Sequence, residues 1–224
     1  MKVSFLCVTH ERAPFMPWLL WNYERQKWPD KELVIVDSSP TPFTTKQKDV
    51  RIIHAPGAYV PAQRNLALAE ALGDVVTWLD DDDWRHPDSI RVLEPLLAGG
   101  VDIAGGRVSW FVNLFTEETQ RYIDRRGVLF ANVLIRTEMA REIAFDETVA
   151  KGGDVVWMEE LLKRPFAFSY EAPSLFLCHD RNMGNTAAVH QFNRGLDDPR
   201  EIIGAKAWGK TEEQLKQLRE RLGN

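Results

Sequence analysis

D-V-V-T-W-L-D-D-D-D-W-R-H-P, residues 74–87, joins a continuous apolar run to four consecutive carboxylates. Val75 to Leu79 has the unbroken, β-favouring character of a strand buried on both faces of a parallel sheet. Extended backbone alternates its side chains, so Asp80 and Asp82 are expected on one side and Asp81 and Asp83 on the other. Two carboxylates on one side supply half the shell of a hard cation such as Mg²⁺ or Mn²⁺, and substrate phosphates complete such shells. In open α/β sheets ligands bind beyond the carboxyl ends of the strands, where these acids stand. The alternative is an acidic loop ahead of a helix from Asp88 to Leu97, favoured there by the helix dipole. Asp88 alone fills that capping role, and four crowded acids repel one another without a counter-ion.

Upstream, Val3 to Val8 reads as a buried strand ending in the polar turn Thr9-His10-Glu11-Arg12. A helix from Phe15 to Trp28 follows, with Pro14 and Pro17 suited to its first turn. Glu32 to Asp37 is a second buried strand, left by the turn Ser38-Ser39-Pro40. Arg51 to His54 is a short strand, and Ala62 to Leu72 is a helix closed by Gly73. With the strand from Val75 this completes a β-α-β-β-α-β order, that of a nucleotide-binding α/β half. Downstream, Asp102 to Phe115 reads as one or two strands bent at Gly105-Gly106, and Val128 to Ile135 as another. Arg136 to Ile143 and Val155 to Lys163 are helices, and Phe166 to Cys178 is a strand pair or a long strand broken at Pro173. His179 to Gly195 has no periodicity and reads as a mobile loop, a lid that orders when ligand binds. Thr211 to Leu222 is a final helix with Thr211 and Gln214 as its capping box.

The 224 residues suffice for one well-cored domain, and 44% hydrophobic and 27% charged residues are globular values. A net charge of -5 gives no general attraction to phosphate backbones, which disfavours nucleic acid as the main partner. Cys7 and Cys178 lie in apolar runs and are expected as free thiols of a reducing compartment, hence a cytoplasmic protein. No apolar run approaches the roughly 20 residues of a spanning helix, and Lys2 to Val8 suits a first strand better than a signal sequence.

Several side chains stand where a ligand is expected. Asp37 accepts from a base or ribose hydroxyl, or else closes an Asx-turn with the serines behind it. Thr9 and Glu11 edge the same pocket, while Arg12 is either a third member or a solvated charge. Arg64-Asn65 near a helix start suits a phosphate or a base edge, the alternative being an Arg64 paired with Glu70 or Asp74. His179 is a third metal ligand when neutral, a contact to a diphosphate when protonated, or a hydrogen-bonded structural residue. Trp84, Trp110 and Trp157 can stack on a sugar, although most of the eight tryptophans must be core.

The succession V-S-F-L-C-V-T-H-E-R, E-L-V-I-V-D-S-S, A-Q-R-N-L-A-L-A-E-A-L-G-D, T-W-L-D-D-D-D-W-R-H-P-D, then F-D-E and G-G-D-V-V-W resembles glycosyltransferase family 2 of the GT-A fold. The resemblance covers roughly residues 3 to 180. It implies an α/β domain of GT-A type with a mixed sheet, built of a Rossmann-like nucleotide-sugar half (about 1–105), an acceptor half (106–196) and a helical tail (197–224). It further implies a nucleotide-sugar donor, by default a UDP-sugar, and a carbohydrate or other hydroxyl acceptor. Thr9, Glu11, Asp37, Arg64, Asn65, Asp80 and Asp81 then face the donor, and Asp82, Asp80 and His179 hold Mn²⁺ or Mg²⁺. Asp154 becomes the general base of an inverting transfer, with Val155, Val156 and Trp157 as apolar neighbours and a plain helix N-cap as its alternative role. Asp146 and Glu147 rank below it. The chain departs from the family at Glu11, where Asn is usual, at Ser38 after Asp37, and at Gly153, where an acid usually precedes the base.

Two other classes compete. Nucleotidyl transfer onto a sugar phosphate wants a glycine-rich loop after the first strand, and Thr9-His10-Glu11-Arg12-Ala13-Pro14 has no glycine. A non-catalytic carbohydrate-binding module with a vestigial site would fit Ser38 and Gly153.

Overall fold

The computed structural model describes residues 1–113, 119–124, 127–149, 152–172, 174–178 and 205–222. Its frame is a seven-stranded mixed sheet. β1 (Val3–Thr9) lies between β2 (Lys31–Asp37) and β4 (Val75–Trp78), parallel to both, and β3 (Val50–His54) extends the sheet beyond β2. The β-α-β-β-α-β order is present: α1 (Met16–Glu24) links β1 to β2, and α2 (Val60–Glu70) links β3 to β4. On the other side, β9 (Val133–Arg136) runs antiparallel between β4 and β6 (Ile103–Gly106), and β10 (Phe166–Ser169) pairs parallel with β6. Strands from both sides of residue 105 therefore share one sheet.

β1 and β2 carry apolar side chains on both faces because each face is covered. Phe5, Cys7, Leu33 and Ile35 pack with Leu19, Tyr23, Leu93 and Leu97 of α1 and α3 (Ser89–Ala98). Leu6, Val34 and Val36 pack with Ala67, Leu68, Trp157 and Leu161 of α2 and α5 (Gly153–Leu161). α4 (Thr137–Glu142) follows β9 on that side, adding Ala140 to the same cluster.

A second sheet, β5-β11-β7-β8, comprises Asp83–Arg85, Ser174–Cys178, Val108–Asn113 and Thr119–Ile123. The final helix, α6 (Ala205–Arg221), sets Leu215 and Leu218 into a cluster with Phe15, Trp18, Trp84 and Trp110. Trp84, Trp110 and Trp157 are all buried core residues and offer no sugar platform.

Four expectations change here. The acids do not continue β4: Asp83 N donates to Asp80 O at 3.2 Å, so Asp80 to Asp83 is a turn and strict alternation is lost. Val128 to Ile135 is not one strand, because a 3₁₀ turn at Phe130–Asn132 precedes β9 and lets the buried Asn132 amide donate to Ala172 O. Phe166 to Cys178 divides between the two sheets rather than forming a pair. The last helix begins at Ala205, so Thr211 is an interior, buried residue and caps nothing. β5 and β8 were not expected, being three and five residues long and rich in polar groups.

Glu32 locks this frame electrostatically. Its carboxylate accepts from Ser4 Oγ at 2.6 Å and Leu72 N at 2.7 Å, and faces Lys2 and Arg51 at 3.7 and 3.3 Å. Burial pushes its pKa up, but these donors and cations outweigh it and hold the group below the ordinary carboxylate value. A lowered folded pKa contributes stability that is full above the unfolded pKa, near 4.3, and is lost as pH falls through the folded value. Urea midpoints are therefore expected to fall more steeply below about pH 4.3 in the native protein than in Glu32→Gln, which loses about 2 kcal/mol at pH 7. Parallel curves for the two proteins would remove Glu32 from the acid transition.

Candidate active site

The carboxyl ends of β1, β2 and β4 meet at one edge of the main sheet. Register places Thr9 opposite Asp37 and Leu6 opposite Trp78, so the acid turn leaves β4 beside the end of β1. Thr9 Oγ1 donates to Asp81 Oδ2 at 2.6 Å. Arg12 enters between the acids, its Nε 3.1 Å from Asp81 Oδ1 and its Nη2 2.5 Å from Asp82 Oδ2, and its guanidinium lies over the Phe15 ring. Arg12 is thus no solvated charge. The signal was available, since four acids behind a buried strand need a counter-charge and Arg12 is the first cation after β1.

One cation does not balance the cluster. Asp80 is pushed up to about 6 by burial and by the charges of Asp82 and Asp154, with Arg64 opposing. Asp81 is pushed up to about 8, first by burial and then by Asp82, against Arg12 and the Thr9 hydrogen bond. Asp83 is raised as well, chiefly by burial. Asp80 and Asp82 are hard oxygen donors in a site short of positive charge, which fits a divalent cation. Among the described residues no three His, Cys, Asp or Glu side chains converge as a metal group, so such an ion would draw its remaining donors from substrate or water. His179, expected as a third ligand, and the lid from His179 to Gly195 lie outside the described residues.

Next to the acid turn is a cleft of about 400 Å³, lined by Thr9, Glu11, Arg12, Asp37, Ser39 and Phe43 among others. Asp37 closes the turn that Ser38-Ser39-Pro40 invited: Oδ1 accepts from Ser39 N and Oγ, and Oδ2 from Phe43 N at 2.8 Å. These donors hold its pKa below the usual value despite burial. Ser39 was not foreseen as a site residue. Besides serving Asp37, its Oγ accepts from Glu11 N at 2.7 Å. Glu11 has φ +52°, the one positive φ outside glycine among the described residues. Such backbone costs a residue with a side chain about 1–2 kcal/mol, and here it is held by the Ser39 bond and by His10 Nδ1, 3.0 Å from Ser38 Oγ.

On the other side of the acids, Arg64 lies over the Phe130 ring at 4.5 Å and near Phe145 and Trp78. It pairs with neither expected partner: Glu70 faces Arg51 at 3.4 Å, and Asp74 takes Lys2 N at 2.7 Å. Stacked aromatics hold its guanidinium, whose charge acts on Asp80. Asn65, expected at the nucleotide, is instead a clamp. Its Oδ1 accepts from Phe145 N at 2.7 Å, and its Nδ2 donates to Phe145 O and Glu147 Oε1, both at 3.0 Å.

Asp154 is the second residue of α5 and half-buried. It is not the N-cap; Gly152, at φ +73°, is, and no side chain caps this helix. A methyl placed on Gly153 would lie 3.8 Å from Pro61, so the start of α5 adjoins the start of α2. Val155 and Val156 are exposed and only Trp157 is buried, so two of the three expected apolar neighbours face solvent.

A family model described as Glycosyl transferase family 2 matches residues 4–162, which contain the acid turn, the cleft and Asp154. The chain belongs to glycosyltransferase family 2. No curated protein matches it significantly by sequence. Among solved structures, S. aureus TarS 1-349 in complex with UDP-GlcNAc shares 15% identity at a TM-score of 0.63, covering 83% of this chain and 61% of that one. The same TarS fragment in complex with UDP shares 16% at a TM-score of 0.61, covering 79% and 60%. The mannosyltransferase PcManGT from Pyrobaculum calidifontis, in complex with GDP-Man and Mn²⁺, shares 16% at a TM-score of 0.63 over 99% of this chain and 74% of that one. The chain thus spans about three fifths of the TarS fragment's length, and at these identities the likeness is one of fold. The family 2 chain has the α/β, GT-A type architecture of these neighbours, and among its described residues no helix is long and apolar enough to cross a membrane.

Proposed function

We propose that this family 2 chain is a metal-dependent, inverting glycosyltransferase that moves a sugar from a nucleoside-diphosphate sugar to an acceptor hydroxyl. The observation that carries the reading is a carboxylate near the acid turn but on a separate element: the charge of Asp154 pushes up Asp80, and Asp154 stands on α5, whose start at Gly153 adjoins Pro61 of α2. A carboxylate facing the leaving group's site across the transferred sugar is what an inverting displacement requires.

Asp80 and Asp82 would hold Mn²⁺ or Mg²⁺, and the ion, when bound, supplies positive charge to the departing diphosphate. Arg12 and Arg64 flank the same place with fixed cations, so part of that stabilisation comes from the chain itself. Thr9 fixes Asp81 and thereby the turn. Asp154 takes the proton from the acceptor hydroxyl as its oxygen attacks the anomeric carbon and the bond to the diphosphate breaks. The cleft beside Glu11 and Asp37 takes the nucleoside; uridine is what the resemblance implies for it. PcManGT carries GDP-Man and Mn²⁺, and TarS carries UDP-GlcNAc, which supports a nucleotide-sugar donor here. We read residues 1–224 as one such domain in the cytoplasm, a location that the buried free thiol of Cys7 supports.

The testing experiment is a panel of nucleotide sugars incubated with the protein and Mn²⁺, with release of nucleoside diphosphate measured. Transfer to water exposes a competent donor even before an acceptor is known. At least one donor is expected to be cleaved with Mn²⁺ and spared in EDTA. Equal cleavage in EDTA would overturn the metal dependence, and no cleavage of any donor, with or without simple sugar acceptors, would overturn the activity.

A further inference from the structure

We infer that Glu11 selects a guanine base in the donor, so that the chain prefers a GDP-sugar; this rests on the nucleotide-sugar reading above. The diphosphate belongs at the acid turn, which leaves the part of the cleft bounded by Glu11, Asp37, Ser39 and Phe43 for the base. Two carboxylates line it. Those of Asp37 are committed, one oxygen to Ser39 and the other to Phe43. The Glu11 carboxylate accepts no hydrogen bond among the described residues; the His10 ring nitrogen Nε2 lies 3.7 Å away. Its backbone is nevertheless bent into the left-handed region and pinned there by Ser39 Oγ. Backbone kept in so unfavourable a conformation by surrounding bonds is a mark of a side chain aimed at a task.

Base chemistry decides which task. A carboxylate presents two acceptor oxygens and binds best to two parallel N–H donors. Guanine presents that pair, N1–H beside the 2-amino group. Uracil presents one N–H between two carbonyl oxygens, which a carboxylate repels. Adenine and cytosine place their amino group beside a ring nitrogen that is itself an acceptor. Pro40, Pro42 and Phe43 supply apolar walls against which a purine can lie.

Calorimetric titration of the full chain with GDP, IDP, UDP and ADP in Mn²⁺ tests this. GDP is expected to bind about tenfold or more tightly than UDP or ADP. IDP keeps N1–H but lacks the 2-amino group and is expected to fall between. Glu11→Gln, which preserves size and backbone, should shrink the preference for GDP over UDP by about tenfold. UDP binding as tightly as GDP would overturn the base assignment and leave the glycosyltransferase reading standing. A GDP preference unchanged in Glu11→Gln would remove Glu11 from the selection. Failure of all four nucleotides to bind would instead strike the nucleotide-sugar reading itself.

Discussion

Asp154→Asn is expected to lower turnover by roughly 10²- to 10⁴-fold while leaving nucleoside diphosphate affinity nearly unchanged. Asn has the shape of Asp and cannot take a proton. The helix start does not depend on this side chain, because Gly152 is the N-cap and no side chain caps α5. The substitution therefore separates chemistry from folding more cleanly than at an N-cap position. It also removes a negative charge that pushes up the pKa of Asp80, so metal and diphosphate affinity should hold or rise slightly. Single-turnover rates and calorimetry on the same preparations check both halves. Full activity in Asp154→Asn, with activity lost in Glu147→Gln or Glu159→Gln, would move the base. Glu147 carries one hydrogen bond from the Asn65 clamp, which makes it the less free of the two.

Asp82→Asn is the second large effect. Its carboxylate is half-buried and shares Arg12 with Asp81. Replacing a supporting residue of a metal site costs about 10- to 100-fold in affinity, and replacing a ligand is expected to exceed that. Mn²⁺-dependent affinity for nucleoside diphosphate should collapse, whereas the thermal midpoint should change little, since the repulsion among four acids is relieved as the Arg12 pair is lost. Unchanged Mn²⁺-dependent affinity in this variant would take Asp82 out of the metal site.

Much of the frame was legible because it rests on short-range patterns. Unbroken apolar runs at Val3, Glu32 and Val75, each ending in polar residues, described strands covered on both faces, and those strands are β1, β2 and β4. The acid turn was harder. Four identical residues carry no periodicity, and what bends them is a backbone hydrogen bond between Asp80 and Asp83 together with Thr9 and Arg12, some 70 positions away in sequence. Asn65 misled for a related reason. An amide near a helix start looks like a ligand contact, and only the three-dimensional position of Phe145 explains why it is a bridge within the protein. β5 and β8 were invisible because a strand of three or five polar residues has no signature apart from its partners. The seating of Thr211 inside a longer helix was hidden in the same way, its buried face being supplied by the second sheet.

The Asn65 clamp joins two regions of unequal contact order. The cleft is lined by residues between Thr9 and Phe43, whereas the acid turn is tied to the end of β1 by Thr9 and Arg12 from some 70 positions away. Asp154 arrives with a later segment, and Asn65 grips the Phe145 backbone across 80 residues to set its distance from α2. Loop-closure entropy falls on that junction and on the acid turn, and least on the cleft. The cleft thus rests on the more local contacts, while the position of Asp154 depends on the Asn65 bonds together with the packing of Trp157 and Leu161. On the function proposed above, drift in the later segment would change what is glycosylated and leave what is donated intact, for as long as those contacts are kept.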